Sequence, residues 1–160
     1  MNWEPFYSMQ HQLDAHIASA HDLEGVNVVD HKIVALLVEI SELANETRCF
    51  KFWSTKPASE KDVVLEEYVD GLHFILSLGL DLGFRYQTSP LNEVTNETQA
   101  FLSIFTTVEN FKRKKDKASY TELFTAFLSL GKILGFQEEE LQEAYKRKNE
   151  VNFQRQDEGY

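Results

Sequence analysis

The residues of this 160-residue chain best suited to chemistry are four carboxylates at two matched spacings. Glu39-Ile40-Ser41-Glu42 and Glu67-Tyr68-Val69-Asp70 each hold two acids three residues apart, which on a helix are surface neighbours. At about 100° per residue, Glu39, Glu42 and Glu46 fall within an arc of about 60°. No Lys or Arg follows them at i+4, where Leu43, Glu46 and Phe50 stand. Like charges so placed cost roughly 0.2–0.5 kcal/mol per pair. The second pair belongs to the stripe Glu66, Glu67, Asp70, His73, Ser77 and Asp81 on a segment that is otherwise apolar from Tyr68 to Phe84. Carboxylates beside a core are expensive unless paired, protonated or bound to metal. Two such pairs on neighbouring helices could converge as four hard oxygen ligands, which suit Mg²⁺ or Mn²⁺ and leave positions open for water and phosphates. A solvated acidic face is the other reading, and geometry alone leaves both open.

The elements that must carry these acids read as helices. Ile33, Leu36, Leu37, Ile40, Leu43 and Ala44 recur at i, i+3, i+4 and i+7, which predicts a helix under the first pair. Ser59 with Asp62 resembles a capping box opening the next helix, which runs to Gly83 under the second pair. A first helix is expected from Pro5 to Asp22, with Pro5 in its first turn. A fourth covers about Glu97 to Lys115, Ser119 with Glu122 opens a fifth, and a sixth runs from Gln137 to Asn152 before a polar tail. No stretch alternates at period two for long enough to demand a sheet. The expected fold is all-α, a helical bundle of about six helices. The run Lys112-Arg113-Lys114-Lys115 reads as a solvated helix C-terminus favoured by the dipole, without a catalytic role.

One stretch repeats. Ile75-Leu76-Ser77-Leu78-Gly79 through Gly83-Phe84 returns 52 residues later as Phe127-Leu128-Ser129-Leu130-Gly131 through Gly135-Phe136, which suggests a duplicated helical unit. Leu-Ser-Leu-Gly is also cheap to repeat in any buried helix. Only the first copy carries the acid pair and histidine, since Ser119, Glu122 and Thr125 stand where Glu67, Asp70 and His73 would recur.

Composition bounds the function. Sixteen Lys plus Arg against 26 Asp plus Glu give a formal charge of −10, which argues against coating nucleic acid or an anionic membrane. An apolar fraction of 42% with 26% charged residues is ordinary for a globular chain. At this length one compact domain, 1–160, can bury an adequate core without staples. Cys49 is the only cysteine, so no intrachain disulfide or cysteine-based zinc site is possible, as suits a reducing compartment. The first twenty residues hold polar groups and no long apolar run, so neither signal peptide nor membrane span is expected there, and a cytoplasmic location is.

With these motifs the chain resembles the all-α nucleoside triphosphate pyrophosphatases, specifically their dimeric dUTPase branch. The family signature is Glu-x-x-Glu followed, after one to three dozen residues, by Glu-x-x-Asp. Glu39-x-x-Glu42 and Glu67-x-x-Asp70 match it, and MazG-like relatives of other specificity share it. Four further segments are similar to the dUTPase branch. They are Met9-Gln10-His11-Gln12-Leu13-Asp14, Phe50-Lys51-Phe52-Trp53-Ser54, Asp70-Gly71-Leu72-His73-Phe74, and the C-terminal stretch from Ala144-Tyr145 to Gly159-Tyr160. The resemblance runs nearly end to end and is weakest between Gln87 and Tyr120.

The resemblance implies a homodimer that hydrolyses dUTP to dUMP and pyrophosphate and also accepts dUDP. It implies that Glu39, Glu42, Glu67 and Asp70 hold Mg²⁺ on the substrate phosphates, and that Glu39 or Glu42 orients or deprotonates the attacking water. Trp53 matches the aromatic that stacks on uracil and Gln10 the amide that reads the base edge. An amide offers both donor and acceptor. His73, Asn152 and Tyr160 match deoxyribose contacts, and a packed Tyr160 would leave little room for a 2′-hydroxyl. Lys51, Lys56, Lys148 and Arg155 are phosphate candidates, the last two the better matched. Asn149 and Asp14 join the substrate set, Asp14 where the motif has a short polar residue. The last helix supports this independently, because its apolar line Leu141, Ala144, Tyr145 continues as Lys148, Asn149, Asn152 and Arg155.

Each residue has a plainer reading. Trp53 and Phe52 could pack on the bundle, and a histidine on a buried helix is more often a satisfied core residue. A di-iron bundle would need Glu-x-x-His on two helices, and only Asp70-x-x-His73 approaches it. A non-catalytic helical partner-binding protein would explain the acids, but not Trp53, Lys148 and Arg155 beside them. A sister pyrophosphatase acting on another deoxynucleotide, such as dCTP, is the principal rival.

Overall fold

Six helices and no strand carry the chain. In the computed structural model, which describes residues 1–160, they are α1 (Glu4–Ala20), α2 (Val29–Thr47), α3 (Lys61–Leu82), α4 (Glu97–Lys114), α5 (Lys117–Ile133) and α6 (Glu138–Asp157). The all-α expectation holds. α3 lies at the centre, as its apolar circumference requires, and twelve of its 22 residues are buried. It forms a hairpin with α2, while α1 and α6 pack on its other side and α4 pairs with α5. Each fully buried Leu or Ile along it contributes about 1.5–3 kcal/mol relative to exposure.

Two helix starts differ from the expected caps. Ser59 does not cap α3; the N-cap is Glu60, with no side-chain bond to the helix. The Ser59 hydroxyl instead donates to the Glu46 carboxylate, and its amide donates to Glu46 O at 3.0 Å. This ties the α2–α3 loop back to α2. Ser119 is the third residue of α5 and reciprocates a capping box opened by Asp116. The last helix is also longer than expected. Residues 153–157, read as tail, continue α6 to Asp157, because α1 supplies partners: His16 meets Asp157 at 2.9 Å and His21 meets Gln156 at 2.8 Å.

The repeat at offset 52 has a structural counterpart where α3 crosses α5. Tyr68 donates its hydroxyl to Phe127 O at 2.9 Å, and Tyr120 donates to Ile75 O at 3.0 Å. Equivalent residues in these two bonds (68 and 120, 75 and 127) are 52 apart. Each hydroxyl lies over a glycine of the opposite helix, Tyr68 over Gly131 and Tyr120 over Gly79, where a Cβ would fall within 2.5 Å and 2.3 Å of it. Both units end alike. Gly83 and Gly135 take φ of 73° and 80°, which glycine adopts at little cost. Phe84 and Phe136 amides then return to Gly79 O and Gly131 O at 2.7 and 3.1 Å, the pattern of a Schellman close.

Candidate active site

The α2–α3 hairpin brings the two acid pairs together. Ligand oxygens of Glu39, Glu67 and Asp70 lie within 4.8 Å of one another. Glu42 stands beside them on the exposed side of α2, close enough for its charge to act on Glu39 and Glu67. Burial, and then the charges of Asp70, Glu42 and Glu67, push the Glu39 carboxyl up to about 7. Glu67 is raised by burial and by Asp70 and Glu42. Burial also raises Asp70, although Lys148 Nζ sits 2.8 Å from its Oδ2. Three crowded hard-oxygen donors, one of them paired with an ammonium, could hold a divalent cation.

The acids open into a cleft of about 720 Å³ walled by α1, α2, α3 and α6, with Glu39 and Asp70 on its surface. Its floor is a buried polar network. Gln10, 3% exposed, donates through Nε2 to Asp14 Oδ1 at 2.8 Å. Its Oε1 accepts from Tyr145 OH at 2.7 Å and from His73 Nδ1 at 2.6 Å. Ser77 donates to Asp14 Oδ2 at 2.7 Å. The carboxylate can only accept, which fixes the amide's orientation, and the amide oxygen can only accept, which puts the imidazole proton on Nδ1. Burial, with a smaller push from Lys148, drops His73 to about 3. The ring is therefore neutral, stacks on Tyr145 at 4.1 Å, and leaves Nε2 buried and without a partner, on a residue that lines the cleft. Such a lone pair is an acceptor awaiting a donor. Burial raises Asp14 against the opposing charge of Lys32.

The α6 stripe turns into the cleft as its change from apolar to polar implies. Lys148, Asn152 and Arg155 line it, and Tyr160 stands at its edge, 78% exposed rather than packed, with its ring 5.2 Å from the Arg155 guanidinium. Asn149 is buried next to Lys148 with Oδ1 unpartnered, off the cleft surface.

Lys51, Trp53 and Lys56 are not brought to the cleft. They lie on the loop between α2 and α3, where Trp53 is 65% exposed against Phe50 and Phe52 at ring distances of 6.1 and 5.1 Å. Packing of Trp53 and Phe52 onto the bundle, the plainer reading, does not occur. Lys51 extends over the Phe50 ring.

Three residues at or beside the cleft escaped sequence reasoning, of which Lys32 lines it. Lys32 holds Asp81 at 2.6 Å and reaches toward Asp14 at 3.9 Å; its place seven residues before Glu39 on the same helical face was an available signal. Tyr145 reads as a core aromatic, and nothing local marks its hydroxyl. Glu66 belongs to the α3 stripe, but its partner Lys148 is 82 residues away.

Residues 2–160 match the family described as dUTPase. No curated protein matches the chain.

Proposed function

The chain belongs to the dUTPase family and is a dUTP diphosphatase; from that premise we propose how its own residues perform the reaction, with Mg²⁺ as the cofactor, dUDP as a second substrate and a homodimer as the working form. The observation that carries the proposal is the convergence of Glu39, Glu67 and Asp70 within 4.8 Å beside a cleft lined by Gln10, His73, Lys148 and Arg155.

Glu39, Glu42, Glu67 and Asp70 hold the divalent ions, with Mn²⁺ a possible substitute, and those ions when bound neutralise phosphate charge and lower the pKa of bound water. Glu39 or Glu42 takes the proton from the water that attacks the α-phosphorus. Glu39 is the better placed, because it lines the cleft and Glu42 does not. Attack breaks the bond from the α-phosphorus to the bridging oxygen, so dUMP and pyrophosphate leave. From dUDP the same step releases phosphate. Lys148 and Arg155 receive the phosphates released from the acid side, and Asn149 supports this turn of α6. Lys51 and Lys56 join them from the α2–α3 loop.

The nucleoside occupies the remainder of the cleft. The second Nε2 hydrogen of Gln10 donates to a uracil carbonyl, and Asp14 accepts from the ring N–H. Trp53 stacks on the base once its loop, or the partner protomer's copy, reaches the cleft. His73 Nε2 accepts from the sugar hydroxyl, Asn152 contacts the sugar, and Tyr160 fills the space of a 2′-hydroxyl. The outward faces of α2 and α4, which pack together, carry Val34 at 61%, Val38 at 49% and Leu102 at 56% exposure. A second copy covering these residues would border Glu42, which shares a shallow groove with Val34 and Val38.

No helix is long and apolar enough to cross a membrane; a cytoplasmic location and a single 1–160 domain are part of the same proposal. Pyrophosphate release should be measured for dUTP, dUDP, dCTP, dTTP and UTP with Mg²⁺, Mn²⁺ and chelator. Turnover of dUTP that chelator abolishes is expected. Equal turnover of dCTP or UTP would refute the base and sugar assignments, and undiminished turnover in chelator would refute the metal role.

A further inference from the structure

Lys148 is buried, with its side chain 9% exposed, yet charged. Burial works against its ammonium, and two carboxylates more than compensate. Nζ lies 2.8 Å from Asp70 Oδ2 and 2.9 Å from Glu66 Oε1. Asp70 and Glu66 stand four residues apart on α3 and so project from consecutive turns of one face. One is a member of the acid cluster. The other is 60% exposed and touches no other cation within ion-pair distance. The ammonium, on a residue that lines the cleft, thus bridges the cluster and a carboxylate just outside it.

We propose that Lys148 is a tethered counter-cation of the acid cluster and that Glu66 is its positioning residue, holding the ammonium beside Asp70 when no divalent ion is bound and keeping it at the cleft wall when one is. This rests on the reading of Glu39, Glu67 and Asp70 as metal ligands. An ammonium and a divalent ion compete for Asp70 Oδ2. A buried ammonium with no second partner would have to give up its only carboxylate, which is costly. Glu66 removes that obstacle, because Lys148 can let go of Asp70 and keep one charged hydrogen bond. The N–H that leaves Asp70 then faces the cleft, where a phosphate oxygen can take it. Metal arrival and phosphate capture are in this way coupled through one side chain, and Glu66 serves both without touching either ligand.

The test uses Mn²⁺ binding to the nucleotide-free protein, followed by electron paramagnetic resonance or calorimetry, so that activity is not the readout. Lys148→Met should tighten Mn²⁺ binding by about threefold or more, because the competitor is gone, and Glu66→Gln should weaken it by a similar factor. Simple charge effects through space predict the same two signs, so the deciding sample is the double variant. If Glu66 acts through Lys148, Glu66→Gln in the Lys148→Met background should change Mn²⁺ affinity by less than about 1.5-fold, since an exposed charge is strongly screened. An equal weakening in both backgrounds, or a Lys148→Met variant that binds Mn²⁺ no better, overturns the inference. Lys148→Gln, smaller and neutral, repeats the test should the methionine variant fold poorly. Asp70→Asn and Glu39→Gln separate the two layers. If they weaken Mn²⁺ binding while the double variant is additive, only the tether fails. If wild type binds no Mn²⁺, the metal reading fails and the tether with it.

Discussion

Replacing Gly131 by Ala sets two opposed effects against each other. A methyl group inside α5 should favour the helix by about 1 kcal/mol over glycine. Here, however, the new Cβ would lie 2.5 Å from Tyr68 Oη and 2.7 Å from Cζ. Tyr68 has nowhere to retreat: it is fully buried, stacks on Phe127 at 4.3 Å and meets Phe136 at 5.2 Å. Overpacking of this kind costs about 1–3 kcal/mol. Displacing the hydroxyl from Phe127 O, 2.9 Å away, strands a buried donor at about 1–3 kcal/mol more. Subtracting the helix gain leaves a net loss of about 1–5 kcal/mol, with a midpoint of about 3 kcal/mol, or roughly 6–12 °C in Tm at that midpoint for a chain of this size. Thermal and urea unfolding followed by circular dichroism would measure it. Adding Tyr68→Phe removes the atom that clashes most, so the double variant should lose less than the two single losses combined by about 1 kcal/mol. Gly79→Ala, which meets Tyr120 Oη at 2.3 Å, should behave alike. A Gly131→Ala protein as stable as wild type, or more so, would show that helix propensity outweighs the crossing and that the tyrosines do not lock α3 to α5.

Further outcomes concern the site. Asp70→Asn and Glu42→Gln should each lower kcat/KM for dUTP by at least about 100-fold; Glu42→Gln should do so without lowering Tm, because it relieves like-charge repulsion, and a loss of Tm matching the loss of activity would mean that this acid serves the fold. Glu39 binds its proton more tightly when folded, so between about 4.5, its ordinary value, and about 7 the native state holds more protons than the unfolded one. Stability in chelator should therefore fall as pH rises through that window. For a half-exposed carboxyl the loss is about 1 kcal/mol after screening, and Glu39→Gln should flatten the profile measured by thermal unfolding. Tyr160→Ala should raise kcat/KM for UTP relative to dUTP, and an unchanged ratio would remove Tyr160 from sugar selection.

The convergence of Glu39, Glu67 and Asp70 was legible in the sequence because each acid pair is a local, one-turn motif on a helix whose apolar period is strong. The reach of α6 was not. Beyond Asn152 its residues show no apolar stripe, and His16 and His21, far away in the chain, satisfy its last turn. Ser59 was misread for a similar reason: the capping pattern was present, but Glu60 takes the N-cap position and the Ser59 hydroxyl donates to the Glu46 carboxylate across the loop. The cleft floor joins Gln10 to His73 and Tyr145 across 63 and 135 residues, and no local pattern encodes such a join. Burial of Gln10 and the unpaired Nε2 of His73 become meaningful only once the helices are assembled.

The two tryptophans give the protein separate optical reporters. Trp3 is 7% exposed and packs edge-on against Phe124 at 4.9 Å, whereas Trp53 stands in water on its loop. Native emission should be the sum of a blue component from the core and a red one from the loop. Unfolding should shift only the first. Docking of a second protomer or closure of the loop over a base should shift only the second, so a single spectrum distinguishes loss of the fold from engagement of the site.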